Sequence, residues 1–222
     1  MAPPPSPRSF GILGSGSVGQ VLASGLKAHG YEVRVGTRSP GKLADWSAKS
    51  GIAAAAFSEV AAWADAAVLA VAGRVAAEAI GLAGPANLRA KLVIDVTNPI
   101  AEGPPKDGVL RFFTGPNESL MERLQMDYPD IHFVKAFNSV GTALMVNPKL
   151  PGGKPTMFYC GNDSAAKAAV ARVIDQFGWA GEDMGTATAA GPIEALCQLW
   201  CIPGFLKNDW VHAFQMVRPG SR

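Results

Sequence analysis

The chain has 222 residues, 48% of them apolar and 17% charged, with a formal net charge of +2. So small a charge, with no block of like charges, argues against a nucleic-acid or membrane-surface partner and leaves small-molecule chemistry as the expectation. Cys160, Cys197 and Cys201 form no paired framework and follow no secretory segment, which fits reduced thiols in a cytoplasm. The opening Met1-Ala2-Pro3-Pro4-Pro5-Ser6-Pro7 can form neither helix nor central strand, so residues 1–8 are expected to be a disordered leader.

Phe10 to Leu13 is an apolar run, and Gly14-Ser15-Gly16-Ser17-Val18-Gly19 follows it directly. This is G-x-G-x-x-G between a strand and a helix. Gly14 suits a tight turn, Gly16 lets a pyrophosphate approach the backbone, and Gly19 lets helix and strand pack closely. Free N–H groups at the helix N-terminus favour the phosphates. Val21, Leu22 and Leu26 recur at helical spacing until about His29, Gly30 ends the helix, and Tyr31 to Val35 is the next strand. The unit requires a right-handed crossover.

NAD-binding units carry an acidic residue about 20 residues beyond the glycines, where it meets the ribose hydroxyls. This chain reads Gly36-Thr37-Arg38-Ser39 there, and Glu32 lies too early. Guanidinium and hydroxyl groups bind the additional phosphate of NADP, so Thr37 and Arg38, helped by Ser39 or Lys42, are read as its clamp. Ser39-Pro40 opens a helix to about Lys49, stopped by Gly51.

A short strand is expected at Ile52 to Ala54 and a brief helix capped by Ser58. Ala66 to Ala72 is a continuous apolar run, as in a strand covered on both faces. Its carboxyl end places Val71, Ala72 and Gly73 beside the cofactor, with Arg74 either touching a phosphate or solvated. Leu92 to Val96 is the next buried strand and runs into Thr97-Asn98-Pro99. Pro99 forces Asn98 out of helical conformation, at the crevice mouth, where its amide can bond the nicotinamide ribose or carboxamide or simply end the strand.

Residues 101–116 form a turn-rich loop long enough to serve as a lid. Ser119-x-x-Glu122 is a capping box that opens a helix to about Met126. Strand Phe133 to Phe137 ends in Lys135-Ala136-Phe137-Asn138, and Lys135 and Asn138 either orient a substrate or satisfy backbone groups. Thr156 to Cys160 is a strand, the helix after Ser164 is amphipathic, and Gly181 to Gly185 is a last strand. A helix from Thr186 to Trp200 and an aromatic tail complete the chain, as a cap on the sheet or a contact in a homodimer. Cys197 and Cys201 are one helical turn apart, but without a third ligand they read as apolar filler, and no metal is expected. No apolar run approaches the length of a bilayer span.

The elements describe an α/β, Rossmann-type, doubly wound, mostly parallel sheet over residues 9–185, with a small C-terminal helical segment over 186–222. With its motifs placed, the chain resembles the NADPH-dependent reductases of the deazaflavin coenzyme F-420 and the similar NADPH-binding domain of six-transmembrane ferric reductases. The resemblance is carried by the glycine loop, Gly36-Thr37-Arg38, Thr97-Asn98-Pro99, Lys135-Ala136-Phe137-Asn138, Phe158 to Asp163, and Ile193-Glu194-Ala195-Leu196. It implies an NADP-dependent oxidoreductase whose nicotinamide lies near Asn98, Pro99 and Ala136, with coenzyme F-420, FAD or FMN as the small-molecule electron acceptor. His29, His132 and His212 suggest no proton relay, and transfer between two bound rings needs mainly proximity and water exclusion. Reduction of a small carbonyl or imine, and an NADPH-sensing module without turnover, are the alternative readings.

Overall fold

Eight short strands and eight α-helices make up the computed structural model, which describes residues 7–219. The strands are β1 (Ser9–Leu13), β2 (Glu32–Gly36), β3 (Ala53–Ala55), β4 (Ala66–Leu69), β5 (Leu92–Asp95), β6 (His132–Lys135), β7 (Thr156–Gly161) and β8 (Ala180–Asp183). They form one sheet in the order β3-β2-β1-β4-β5-β6-β7-β8, parallel throughout except where β6 meets β7. Chain order reverses between β1 and β4, the switch point where such sheets open a crevice at their carboxyl ends. This is the Rossmann-type fold expected from the sequence.

The period-two geometry of the strands divides the core. Phe10, Ile12, Val68, Ile94 and Val134 face α1 (Ser17–Ala28) and α7 (Ser164–Gln176). Leu13, Ala67, Leu69, Val93 and Phe133 face the opposite layer. That layer holds α3 (Phe57–Trp63), α4 (Ala76–Ala83), α5 (Pro85–Leu88) and α6 (Leu120–Asp127). The capping box forms as expected, with Ser119 Oγ accepting from Glu122 N at 3.0 Å and donating to Glu122 Oε2 at 2.7 Å.

Several boundaries differ from the sequence expectation. Ser39 makes no capping bond, and residues 40–43 form a 3-10 turn before α2 (Ala44–Ser50), although Gly51 ends it left-handed at φ 63°. The helix expected to start at Ser58 starts at Phe57, capped by Ala56, whose extended backbone suffices without a side-chain bond. Strands β4, β5 and β6 end at Leu69, Asp95 and Lys135, short of the ends of the apolar runs that announced them. Residues 1–6 of the expected leader lie outside the described residues, and Arg8 is already tied by its N–H to Asp65 Oδ2 at 2.9 Å.

The largest difference is α8 (Ala190–Lys207), which continues past Trp200 and through Pro203. Contrary to expectation, the segment Ala187–Lys207 is long and apolar enough, by length and composition, to span a bilayer. In this fold it is a packing helix. Ala190 and Ile193 join the sheet core, while Cys197, Trp200 and Cys201 form a small core of their own with Leu110, Trp210 and Phe214.

Candidate functional site

Gly14 ends β1 at φ 128°, a conformation L side chains rarely adopt, and a Cβ there would strike the Ala70 carbonyl. Its N–H bonds Gly36 O at 3.1 Å, so the loop is held between the ends of β2 and β4. A Cβ on Gly19 would strike the Gly14 carbonyl, which keeps α1 close against the loop. Gly16 is the N-cap of α1, its first turn has neither a side-chain cap nor an acidic residue, and no heavy atom lies within 4 Å of where its Cβ would sit. Open space over unpaired helix N–H groups is what a diphosphate requires.

A cavity of about 630 Å³ opens there, and its wall includes Gly14, Ser15, Gly16, Thr37, Arg38, Ser39 and Lys42 from the first two strand ends. Val71, Ala72 and Arg74 close it from β4. Thr37 is the hub of the clamp region: its Oγ1 accepts from Ser15 Oγ at 3.2 Å and from Ser39 N at 3.3 Å. Arg38 is 75% exposed and extends toward Glu78 of α4, with Nη1 to Oε1 at 3.7 Å. Arg38 and Lys42 after β2 and Arg74 after β4 thus bring three cationic side chains to the cavity, and Glu78 faces Arg38. Such a wall suits a phosphomonoester better than a bare ribose diol.

The remaining expected residues lie elsewhere. Ser17, Val18 and Gly19 belong to α1 beneath the loop, and Gly73 is buried against the Asn98 carbonyl rather than on the cavity wall. Pro99 and Ala136 are buried, whereas Asn98 remains half-buried at the β5 end. Asn98 and Asn138 clasp one another, through Asn98 Nδ2 to Asn138 O at 2.8 Å and Asn138 Nδ2 to Asn98 Oδ1 at 2.9 Å. Asn138 Nδ2 also bonds Ile193 O at 2.9 Å, which joins this clasp to α8.

Lys135 is not positioned to orient a substrate. Its side chain is fully buried, with Nζ 2.7 Å from Asp95 Oδ2, 2.8 Å from Glu194 Oε1 and 2.9 Å from Thr97 O. Burial alone would pull the ammonium pKa down, but Asp95 and then Glu194 outweigh it and hold the value above that of an ordinary lysine. Asp95 Oδ1 accepts from Thr97 N at 2.9 Å and Thr97 Oγ1 at 2.7 Å, and Glu194 accepts from the N–H groups of Leu120 and Met121. Asp95 and Glu194 are the site-supporting residues that sequence reasoning missed. A lysine inside an otherwise apolar strand was the available signal, since a buried charge requires partners.

Phe137 was missed as well. It takes φ 58°, a genuine outlier for a bulky residue, with its ring buried against Phe177 and its N–H on Met157 Sδ at 3.1 Å. The reversal turns Asn138 back toward Asn98. Residues 101–116 are pinned rather than loose: Phe113 N bonds Pro99 O at 2.9 Å and Gln198 Nε2 bonds Leu110 O at 2.8 Å. Between that loop and α8 lies a smaller cavity of about 250 Å³ whose wall includes Phe112, Thr114, Glu194 and Gln198. All three cysteines are free and buried, and burial pushes the Cys160 thiol pKa up to about 12. Among the described residues no cluster of three or more metal-ligating side chains occurs.

A doubly wound sheet with a glycine loop at its switch point and a cationic wall at the end of β2 defines an NADP-binding protein of the Rossmann class. Residues 9–99 match the family described as NADP oxidoreductase, coenzyme F420-dependent. A structure from Arthrobacter sp. FB24, described as a candidate F420-dependent NADP reductase, is 32% identical, with 96% of this chain and 100% of that chain covered and a TM-score of 0.88. Metalloreductase STEAP3 of Rattus norvegicus is 29% identical over 202 residues, and the match spans 88% of this chain but 38% of that relative's length. An imine reductase from Aspergillus terreus, in complex with NADPH4 and dibenz[c,e]azepine, shares the fold at 15% identity, with 86% of this chain and 59% of that chain covered and a TM-score of 0.63. The chain belongs to the F420-dependent NADP oxidoreductase family and is an NADP-dependent oxidoreductase.

Lys135→Met leaves two buried carboxylates unpaired and is expected to lower stability by about 3–5 kcal/mol in urea unfolding. Changing Asp95→Asn, Lys135→Met and Glu194→Gln together is expected to cost less than Lys135→Met alone, because no unpaired charge remains. Lys135 has its pKa raised in the fold, so its contribution is complete at pH below the ordinary lysine value of about 10.4 and is lost as pH rises through the higher folded value.

Proposed function

We propose that the protein transfers a hydride between NADP(H) and a deazaflavin such as coenzyme F-420, or a flavin, FAD or FMN. The observation that carries the acceptor class is the make-up of the crevice floor beyond β5 and β6. A polar group left partly exposed there is the amide of Asn98, with the buried Asn138 behind it, while the ionisable groups at the carboxyl ends of those strands, Asp95 and Lys135, are fully buried. NADPH supplies the hydride, and the chain supplies orientation and exclusion of water, which suffice for transfer between two rings. Reduction of a carbonyl ordinarily calls for a positioned proton donor as well. Membership of a family described by coenzyme F-420 supports the same reading.

In this reading Gly14, Ser15, Gly16, Ser17, Val18 and Gly19 form the diphosphate loop. Thr37, Arg38, Ser39 and Lys42 take the 2′-phosphate, Val71 and Ala72 border the cofactor with Gly73 packed behind them, and Asn98, backed by the buried Pro99 and Ala136, lies at the nicotinamide end. We read residues 9–185 as the cofactor-binding unit and 186–222 as its cap. A second copy of the chain is the partner proposed for the exposed apolar side of α8, where Leu199 and Leu206 are 54% and 59% exposed. Free, buried thiols accord with a cytoplasmic setting.

Arg38→Ala is expected to weaken NADPH binding by about 1.5–3 kcal/mol, the range for a hydrogen bond to a charged group, and to leave NADH binding nearly unchanged. Glu78→Gln should act in the opposite direction, tightening NADPH, because it removes the carboxylate facing the clamp; calorimetric titration of both variants with both cofactors checks the pair. Stopped-flow mixing of the protein and NADPH with coenzyme F-420, FMN or FAD tests the acceptor. Rapid oxidation with at least one of them is expected, and no oxidation with any of the three would exclude the proposal.

A further inference from the structure

One carboxylate on α8 reaches the floor of the crevice from outside the cofactor cavity. Glu194 is 1% exposed. Its Oε2 accepts from Leu120 N at 3.0 Å and its Oε1 accepts from Met121 N at 3.1 Å, the first two residues of α6, while Oε1 also lies 2.8 Å from Lys135 Nζ. Lys135 in turn holds the Thr97 carbonyl, and Asp95 holds the Thr97 N–H and hydroxyl. The turn after β5 is therefore gripped on both sides by charged, buried groups immediately before Asn98. A second route from α8 converges on the same residue, since Ile193 O accepts from Asn138 Nδ2 and Asn138 is bonded both ways to Asn98.

We propose that Glu194 is a positioning residue, which sets Asn98 at the nicotinamide end of the crevice through Lys135 and the Thr97 turn. This rests on the assignment of NADP(H) as the cofactor and is independent of the acceptor. The chemistry at Glu194 demands an anion. Both oxygens receive donors, three in all, from an ammonium and two helix N–H groups. A glutamine of the same shape would present its own NH₂ to one of those donors, so one side of the arrangement must let go. Release of Lys135 loosens its hold on the Thr97 carbonyl directly, and release of the α6 N-terminus frees the carboxamide that fixes Lys135. The clamp at Thr37 and Arg38 shares no hydrogen bond with this network. Glu194 thus controls one end of the cofactor and not the other.

That asymmetry separates positioning from a general structural role. In Glu194→Gln, affinity for adenosine 2′,5′-bisphosphate, which probes only the phosphate end, is expected to stay within about twofold of wild type on the additivity of distant sites. The emission spectrum of bound NADPH, which reports the nicotinamide surroundings, should shift. Single-turnover NADPH oxidation should fall by about ten- to a hundredfold, the scale of a small misplacement of reacting atoms. Glu194→Asp, which keeps the anion on a shorter arm, should recover part of the rate, and should Glu194→Gln not fold, the same comparison on Glu194→Asp decides. Equal losses at both ends, or an unchanged NADPH emission with unchanged affinities, would overturn the proposal. The binding and emission readings need no acceptor, so failure of the acceptor assignment leaves them decisive. Wild-type protein that took up neither NADPH nor the bisphosphate would remove the cofactor reading and this inference with it.

Discussion

The site depends on how the end of β1 is wedged between β2 and β4. Gly14 has its N–H on Gly36 and no room for a side chain beside Ala70, so the chain must leave the sheet at one angle and enter α1 at Gly16. That single backbone path opens the cavity, presents the first N–H groups of α1 to it, and fixes the distance from the loop to Thr37. Ser15 then bonds Thr37 across the gap, and Thr37 organises the turn that carries Arg38. On the proposed clamp, cofactor preference follows from strand packing: an acidic residue at the end of β2 would face the same cavity, and Arg38 occupies that position instead.

The opposite end of the crevice is built on a different principle. Three charged groups from β5, β6 and α8 meet in the interior, and such a cluster holds its geometry because each member would be costly to leave alone. Phe137 adds a left-handed turn that L-residues of its size avoid, held by burial of its ring. Rigid support behind an uncharged, amide-lined floor is well matched to transfer between two flat rings, which needs fixed orientation more than acid–base chemistry.

Much of the fold was legible because it depends on local rules. Period-two runs, the G-x-G-x-x-G loop, Gly51 as a left-handed stop and the Ser119 capping box each act within a few residues. Asp95, Lys135 and Glu194 lie on three separate elements and follow no spacing, so the sequence offered only the oddity of a lysine in an apolar strand. Phe137 in a left-handed conformation had no marker, since glycine or asparagine would ordinarily announce it. The helix expected to end at Trp200 runs on through Pro203. The helix passes it because packing of Trp200, Cys201 and Gly204 holds the last turn. On the phosphate wall, Arg38 and Lys42 were readable by position, whereas Glu78 is brought opposite Arg38 by the approach of α4.

The proposed clamp at the end of β2 selects NADPH through its 2′-phosphate. The most direct measurement of that selection is the ratio of NADPH to NADH dissociation constants for the wild-type protein, followed across ionic strength. A clamp of exposed cations gives a strong preference for NADPH that declines as salt screens Arg38, Lys42 and Arg74. Equal affinity for the two cofactors, or a preference insensitive to salt, would contradict it.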